Sequence, residues 1–224
     1  MTILWPDVLK DASCSPPELR NAARGGGASF TGAEQQVYSD AGRWEISYKV
    51  PVRNRAQRLA WRAMIARLRE GEPIFAKVFD KDRAKGFNGA APAAALSASA
   101  AARATTISLA AANLAVEAGV HLTIGQRLYR VKEVTAYTPA ASIHQQLITD
   151  GPWSDSAVWV DDGSQPAAYM LKITPPLREA AASGTAVDFV NLVCLCVQAS
   201  DDTNGDLALD NASTGTPTLK LVEY

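Results

Sequence analysis

From Arg43 to Val50 the chain alternates. Trp44, Ile46, Tyr48 and Val50 fall on one face, and Arg43, Glu45, Ser47 and Lys49 on the other. A period of two is the mark of a half-buried strand. The preceding "FTGAEQQVYSD", joined through Ser39-Asp40-Ala41-Gly42, completes a predicted hairpin. The period then changes. Leu59, Ala60, Ala63, Met64 and Leu68 recur at helical spacing, after Asn54 as a cap with Gln57 three residues on. Gly71 and Pro73 end the helix, the first as a C-terminal cap and the second because it cannot continue one. Arg55, Arg58, Arg62 and Arg69 occupy other positions of this amphipathic helix. They are either a solvated face or a contact for an acidic neighbouring subunit.

Downstream, "PIFAKVFD" reads as a short strand leading to Asp80, and "KDRAKGFNG" as a polar loop. Residues 89 to 104 are alanine-rich and fit a poor helix, a linker or a β-rich insertion lying against something. From Thr105 strands return: "TTISLAAA", then "HLTIGQRLYRVKEVTAY" with a turn at Gly125, then "AAYMLKITPPL". The almost unbroken apolar run "AVDFVNLVCLCVQA" predicts one central strand buried on both faces, and "PTLKLVEY" an alternating last one. One helix among about ten closely spaced strands predicts a mainly β fold, a β-sandwich or split β-barrel with the helix packed on the sheet. The organisation expected is an extended N-terminal arm (1–30) and a hairpin-plus-helix part of the core (31–86). An alanine-rich insertion or linker (87–104) and a β-rich remainder (105–224) follow. That remainder is either composite with 31–86 or a second domain.

Lys and Arg number 22 against 23 Asp and Glu, a net charge of −1, which argues against a general nucleic-acid binder. Cys14, Cys194 and Cys196 form no CxxC pair, and an odd count argues against a secreted disulfide scaffold. Cys194 and Cys196 read as small buried hydrophobes on one face of a strand. The start "MTILWPDVLKD" is too short and too acidic for a signal peptide, and no stretch has the ~18 to 20 apolar residues of a membrane span. Of the two histidines, His121 reads as a turn or rim residue, and neither it nor His144 accompanies a GxSxG elbow. No phosphate-binding glycine motif occurs. "DDTNGD" lacks the spacing and closing Glu of a calcium loop. No catalytic residue, cofactor or metal is expected. Trp153 and Trp159 are candidate surface aromatics, with core packing the commoner use of such residues.

One stretch stands apart: "ITPPLREAAASGTAVDF", a double proline, an Arg-Glu pair and a small-residue run ahead of a new strand. In order along the chain, "MTILWP", "SDAGRWEISYKVPV", "AWRAMIARLREGE", "IGQRLYRVKEV", that stretch, and a Cys-containing strand followed by an acidic turn and "LKLVEY" together carry a resemblance. They resemble the minor tail, or distal tail, proteins of long-tailed phages and phage-like elements. The alanine-rich stretch and the segment from Tyr137 to Ala168 fall outside it. The resemblance implies a tail-tube-like core and a ring, commonly of six copies, at the distal end of the virion tail. Its partners would be further copies of itself, the tail tube protein, the tape-measure protein and the tip or baseplate hub. DNA would be a transient cargo of the lumen, and synthesis would take place in the bacterial host cytoplasm. In such a ring Pro175 and Pro176 end a strand without a pairable edge, and Arg178 and Glu179 stand at an exposed corner suited to a rim contact. Trp5 sits in an arm hinged at Gly25–Gly27, and Arg55, Arg58 and Arg62 are further candidate subunit contacts. The alternatives are another ring-forming tail protein, such as a terminator, or a host-glycan module using Trp153, Trp159 and Tyr169. A wall-digesting enzyme lacks an acid-base constellation.

Overall fold

The computed structural model describes residues 2–9, 12–28, 34–84, 92–112, 114–139, 167–199 and 215–224, with side chains outside 21–41. It is mainly β, with one α-helix and two sheets. The first sheet has seven strands: β1 (Ile3–Leu4), β2 (Ser13–Cys14), β3 (Glu18–Ala28), β4 (Glu34–Lys49), β5 (Ile74–Lys77), β12 (Val193–Gln198) and β13 (Thr218–Glu223). Their order is β1-β5-β12-β13-β4-β2, with β3 also paired to β4. The second sheet runs β11-β8-β9-β10-β7-β6, formed by β6 (Ala93–Leu96), β7 (Thr106–Ala112), β8 (His121–Ile124), β9 (Arg127–Thr138), β10 (Ala167–Thr174) and β11 (Val187–Asp188). It nearly closes into a barrel. Leu96 exchanges backbone hydrogen bonds with Gly184 and Thr185, and Ala95 bridges Ala186.

The barrel is inserted into the first lobe. The chain leaves β5 near Asp80, builds the barrel, and returns at Leu192 to pair β12 directly against β5, with Cys194 opposite Ala76. Two hydrophobic cores result. One gathers Trp44, Ile46, Tyr48, Trp61, Met64, Ile74, Cys194 and Leu221, and the other Ile107, Leu109, Leu122, Tyr129, Leu171 and Phe189. The lobe boundaries therefore lie near residues 80–84 and 189–192. Within the stretch 105–224, β12 and β13 pair with β5 and β4 of the stretch 31–86. The alanine-rich stretch supplies β6, whose Ala93 to Leu96 pair with Leu109 to Ala112. Small side chains allow that close sheet.

Helix α1 (Arg55–Arg69) forms where the spacing predicts it. The Asn54 side chain accepts from the Gln57 amide at 2.9 Å, and the Gln57 side chain accepts from the Arg53 amide at 2.8 Å. At the other end, the Glu72 amide donates to Arg67 and the Gly71 amide to Leu68, with Gly71 at φ 85°. This is the Schellman arrangement, and the left-handed turn favours glycine. Trp61, Met64, Ile65 and Leu68 bury one face in the first core. Among the described residues no helix is long and apolar enough to cross a membrane.

Three local expectations give way to tertiary pairing. No turn separates Ser39 from Gly42, because β4 runs through it. Arg20 pairs Arg43 and Ala22 pairs Ser39, so the turn-like residues are taken up as a bulge. The apolar run from 186 to 199 is two strands in two sheets. Asp188 Oδ1 accepts from the amides of Val190 at 2.7 Å and Asn191 at 2.8 Å, turning the chain between β11 and β12. Nor is the N-terminus a free arm up to residue 20. β1 pairs β5, β2 pairs β4, and a short 3-10 turn (Asp7–Leu9) packs on α1. No described atom lies within 4 Å of a Cβ built on Gly71, so its substitution tests the backbone alone. Gly71→Ala is expected to lower unfolding free energy by about 1 kcal/mol and Gly71→Asn by less, measured by urea denaturation.

Candidate functional site

The β8–β9 hairpin is covered on both faces, and this makes the site. Gly125, at φ 63°, turns the hairpin. Leu122, Ile124, Tyr129 and Val131 point into the barrel core, while Leu128 joins the core of the other lobe. By the same alternation, His121, Thr123 and Arg130 face the first lobe. Thr123 Oγ1 accepts from the Val193 amide at 3.0 Å and donates to its carbonyl at 3.2 Å. The seam between lobes is polar at its centre and built around Trp44.

The Trp44 indole N–H donates to the Leu128 carbonyl at 2.6 Å. Its ring meets His121 edge-on at 5.5 Å, and the Arg130 guanidinium lies 5.1 Å over it. His121 Nδ1 is 2.6 Å from Asp80 Oδ2, and Arg130 Nε donates to His121 Nε2 at 3.1 Å. A guanidinium only donates, so Nε2 is the acceptor and Nδ1 carries the proton toward Asp80. Arg130 also donates to the Pro17 carbonyl at 3.1 Å. Burial is the main force holding His121 below its ordinary value; the Arg130 charge adds to it and Asp80 opposes. Burial disfavours the Asp80 carboxylate, but hydrogen bonds from His121 and the Asp82 amide, with the His121 and Arg130 charges, hold its pKa below the ordinary value.

On the other side of Trp44, the Glu223 carboxylate is 1% exposed. It accepts from the Trp44 amide at 3.3 Å and from Arg178 at 3.2 to 3.3 Å. Arg178 also donates to the Gly42 carbonyl, and its amide donates to the Tyr129 hydroxyl at 3.2 Å. This constellation joins two carboxylates, an imidazole and two guanidiniums, each of them engaged by another member or by the backbone. The Nε2 lone pair that a general base needs is occupied by Arg130. What the arrangement does is hold two lobes in one geometry.

The sequence-derived contacts are dispersed by the fold. Trp5 is buried, stacked on Tyr48 at 4.7 Å, and its indole N–H donates to Leu9. It is core in this chain, so the arm contact expected of it is corrected. Arg178 likewise turns inward to Glu223 rather than standing at an exposed corner, because the buried carboxylate demands a cation. Pro175 is buried and Pro176 half-buried. Glu179 does stand outside, 78% exposed and 3.7 Å from Arg127. Arg55 and Arg62 are exposed and Arg58 half-buried. Trp153, Trp159 and His144 lie outside the described residues. Tyr169 is buried against exposed Tyr137, its hydroxyl donating to the Leu114 carbonyl at 3.0 Å. The small residues Ala180–Ala182 line a cleft of about 370 Å³ together with Gly125, Arg127 and Glu179.

Sequence reasoning missed His121, Arg130 and Glu223. A signal existed for Glu223, since the alternation of Leu219 and Leu221 continues inward to it. No such signal marks His121, which with Thr123 alternates against the apolar Leu122 and Ile124 and is buried only because the other lobe covers that face. Cys194 and Cys196 are buried, and the Cys196 thiol is pushed well up by its hydrogen bond to Cys194 and by burial. Removing the cation from a buried carboxylate leaves an uncompensated charge. Arg178→Met is expected to lose about 3–5 kcal/mol of stability, with Glu223→Gln added to it restoring part of the loss. Glu179→Ala, at the exposed neighbour, is expected to change stability by no more than about 0.5 kcal/mol. Urea titrations of the three variants decide the matter.

Compared with known proteins, the chain matches no family model, and no curated protein sequence matches it.

Proposed function

We propose that the chain is a structural protein of a phage tail tip, a distal tail protein whose copies close into a ring between tail tube and hub. The observation that carries this reading is the β3/β4 ribbon. Beyond its root at Arg43 and Trp44, β4 pairs with β3 alone among the described strands, through Ala22↔Ser39, Ala23↔Tyr38, Arg24↔Val37, Gly25↔Gln36 and Ala28↔Glu34. A two-stranded ribbon is marginal in water and leaves two strand edges to be covered. A neighbouring copy in a head-to-tail ring covers them and repeats the contact around the circle. The seam supports the same reading. A subunit that sets the angle of a ring needs lobes held rigidly, and the Trp44 cluster does that with groups turned away from substrate chemistry. Of the candidate contacts, Arg55 and Arg62 of α1 and Glu179 are the exposed charged positions.

In this reading the partners are other copies, the tube protein, the tape-measure protein and the hub, with DNA passing through the lumen. Light scattering of the purified protein, with negative-stain microscopy of the same sample, tests it. The expected result is a closed ring with an open centre, in which the amides of 20–28 and 34–43 exchange more slowly than in dissociated subunits. A monomer at all concentrations whose ribbon amides are already protected would overturn the proposal.

A further inference from the structure

We propose that His121 is an acid-sensitive latch between the lobes. Neutral, it bridges Asp80 to Arg130; on gaining a proton it expels the Arg130 guanidinium from Trp44 and from the Pro17 carbonyl, loosening the root of the β3/β4 ribbon. The inference rests on the seam alone and stands whether or not the protein builds a ring.

The groups facing His121 come from three elements. The segment after β5 supplies Asp80, whose Oδ1 accepts from the Asp82 amide at 2.9 Å. β9 supplies Arg130, and β4 supplies Trp44, whose amide is held by Glu223 and thus by Arg178. Beyond Asp80 lies Cys14, whose thiol burial pushes up, so that it stays neutral. A proton arriving from solvent has one place to go on the imidazole, the Nε2 lone pair. That lone pair is the acceptor for Arg130 Nε–H. Protonation turns a 3.1 Å hydrogen bond into two N–H groups facing each other across two positive charges. The Asp80 contact survives and gains a full charge pair, so the guanidinium is the group that leaves. Arg130 is also what ties the barrel to the Pro17 carbonyl, one residue before β3, and to the ring of Trp44. The Arg178–Glu223 pair holds the Trp44 amide through contacts that do not involve His121. One half of the seam therefore releases while the other holds as a pivot.

The direction in pH follows from the two states. His121 is held below its ordinary 6.5 in the folded chain, mainly by burial and next by Arg130. The unfolded chain thus takes up the proton first, and the stability that the neutral ring contributes is full above that value. It is lost as pH falls below it through the folded value. Asp80 is held below its ordinary 3.8, so its own contribution is lost only in stronger acid. Of these two groups, the histidine is the one that mild acid reaches first.

The test is an NMR titration of the full chain from about pH 7.5 to about pH 5, following the His121 ring, the Arg130 Nε–H and the amides at the ribbon root. The expected result is a His121 midpoint below 6.5, with the Arg130 Nε–H losing at least about tenfold of its exchange protection at that same midpoint. Intrinsic exchange slows toward acid, so such a loss reports release and not chemistry. In His121→Gln the amide oxygen accepts and the amide nitrogen donates without titrating, and the Arg130 signal is expected to stay protected throughout. An Arg130 signal unmoved through the His121 titration overturns the proposal, as does a midpoint above 6.5 or an equal loss in His121→Gln. If that variant fails to fold, the comparison of the two midpoints within the unsubstituted protein decides alone.

Discussion

A carboxylate that is 1% exposed cannot stand alone in a protein interior, and the placement of Glu223 commits much of this molecule to its needs. Alternation along β13 sends it inward behind Leu219 and Leu221. There it takes the Trp44 amide from β4 and the Arg178 guanidinium from the loop after β10. The same guanidinium reaches Gly42, in the bulge where β4 widens against β3. One buried charge thereby fixes the last strand, the root of the ribbon and the proline corner of the barrel. The stiff stretch around Pro175 and Pro176 has its reason here. It delivers Arg178 to the seam, and the alanines that follow line the neighbouring cleft.

The lobes meet through a hairpin. β8 and β9 present alternate side chains to two cores at once, so the barrel shares a layer with the sheet it is inserted into. Trp44 sits where these demands meet, with its indole N–H, its amide and both ring surroundings occupied. Such a centre resists the independent motion of two lobes, as the proposed ring subunit requires. The titratable histidine within it makes that rigidity conditional on pH.

Much of the local structure was legible. The caps at Asn54, Gln57 and Gly71, the alternation from Trp44 to Val50, and the turn at Gly125 lie within a few residues of the structure they specify. The barrel-like mainly β class followed from strand number and spacing. The functional seam was far less legible, because its members are scattered from Pro17 to Glu223 and no motif of fixed spacing unites them. His121 resembled a rim residue since it follows Gly119 and opens a strand. Only the lobe packed against β8 makes it buried.

Local sequence was enough for the bounds of the helix, the alternation from Trp44 to Val50 and the turn at Gly125, since caps, glycines and a period of two act through neighbouring residues. It also determined that β13 would carry a carboxylate on its apolar face. The tertiary structure alone decided that residues 187–198 would divide between two sheets and that Asp40–Gly42 would widen a strand instead of turning it. It alone decided that Arg178 would face inward. Those outcomes depend on partners 20 to 180 residues away, such as Arg20 for Arg43 and Glu223 for Trp44. Electrostatics across such separations acts only once the chain has brought the groups together.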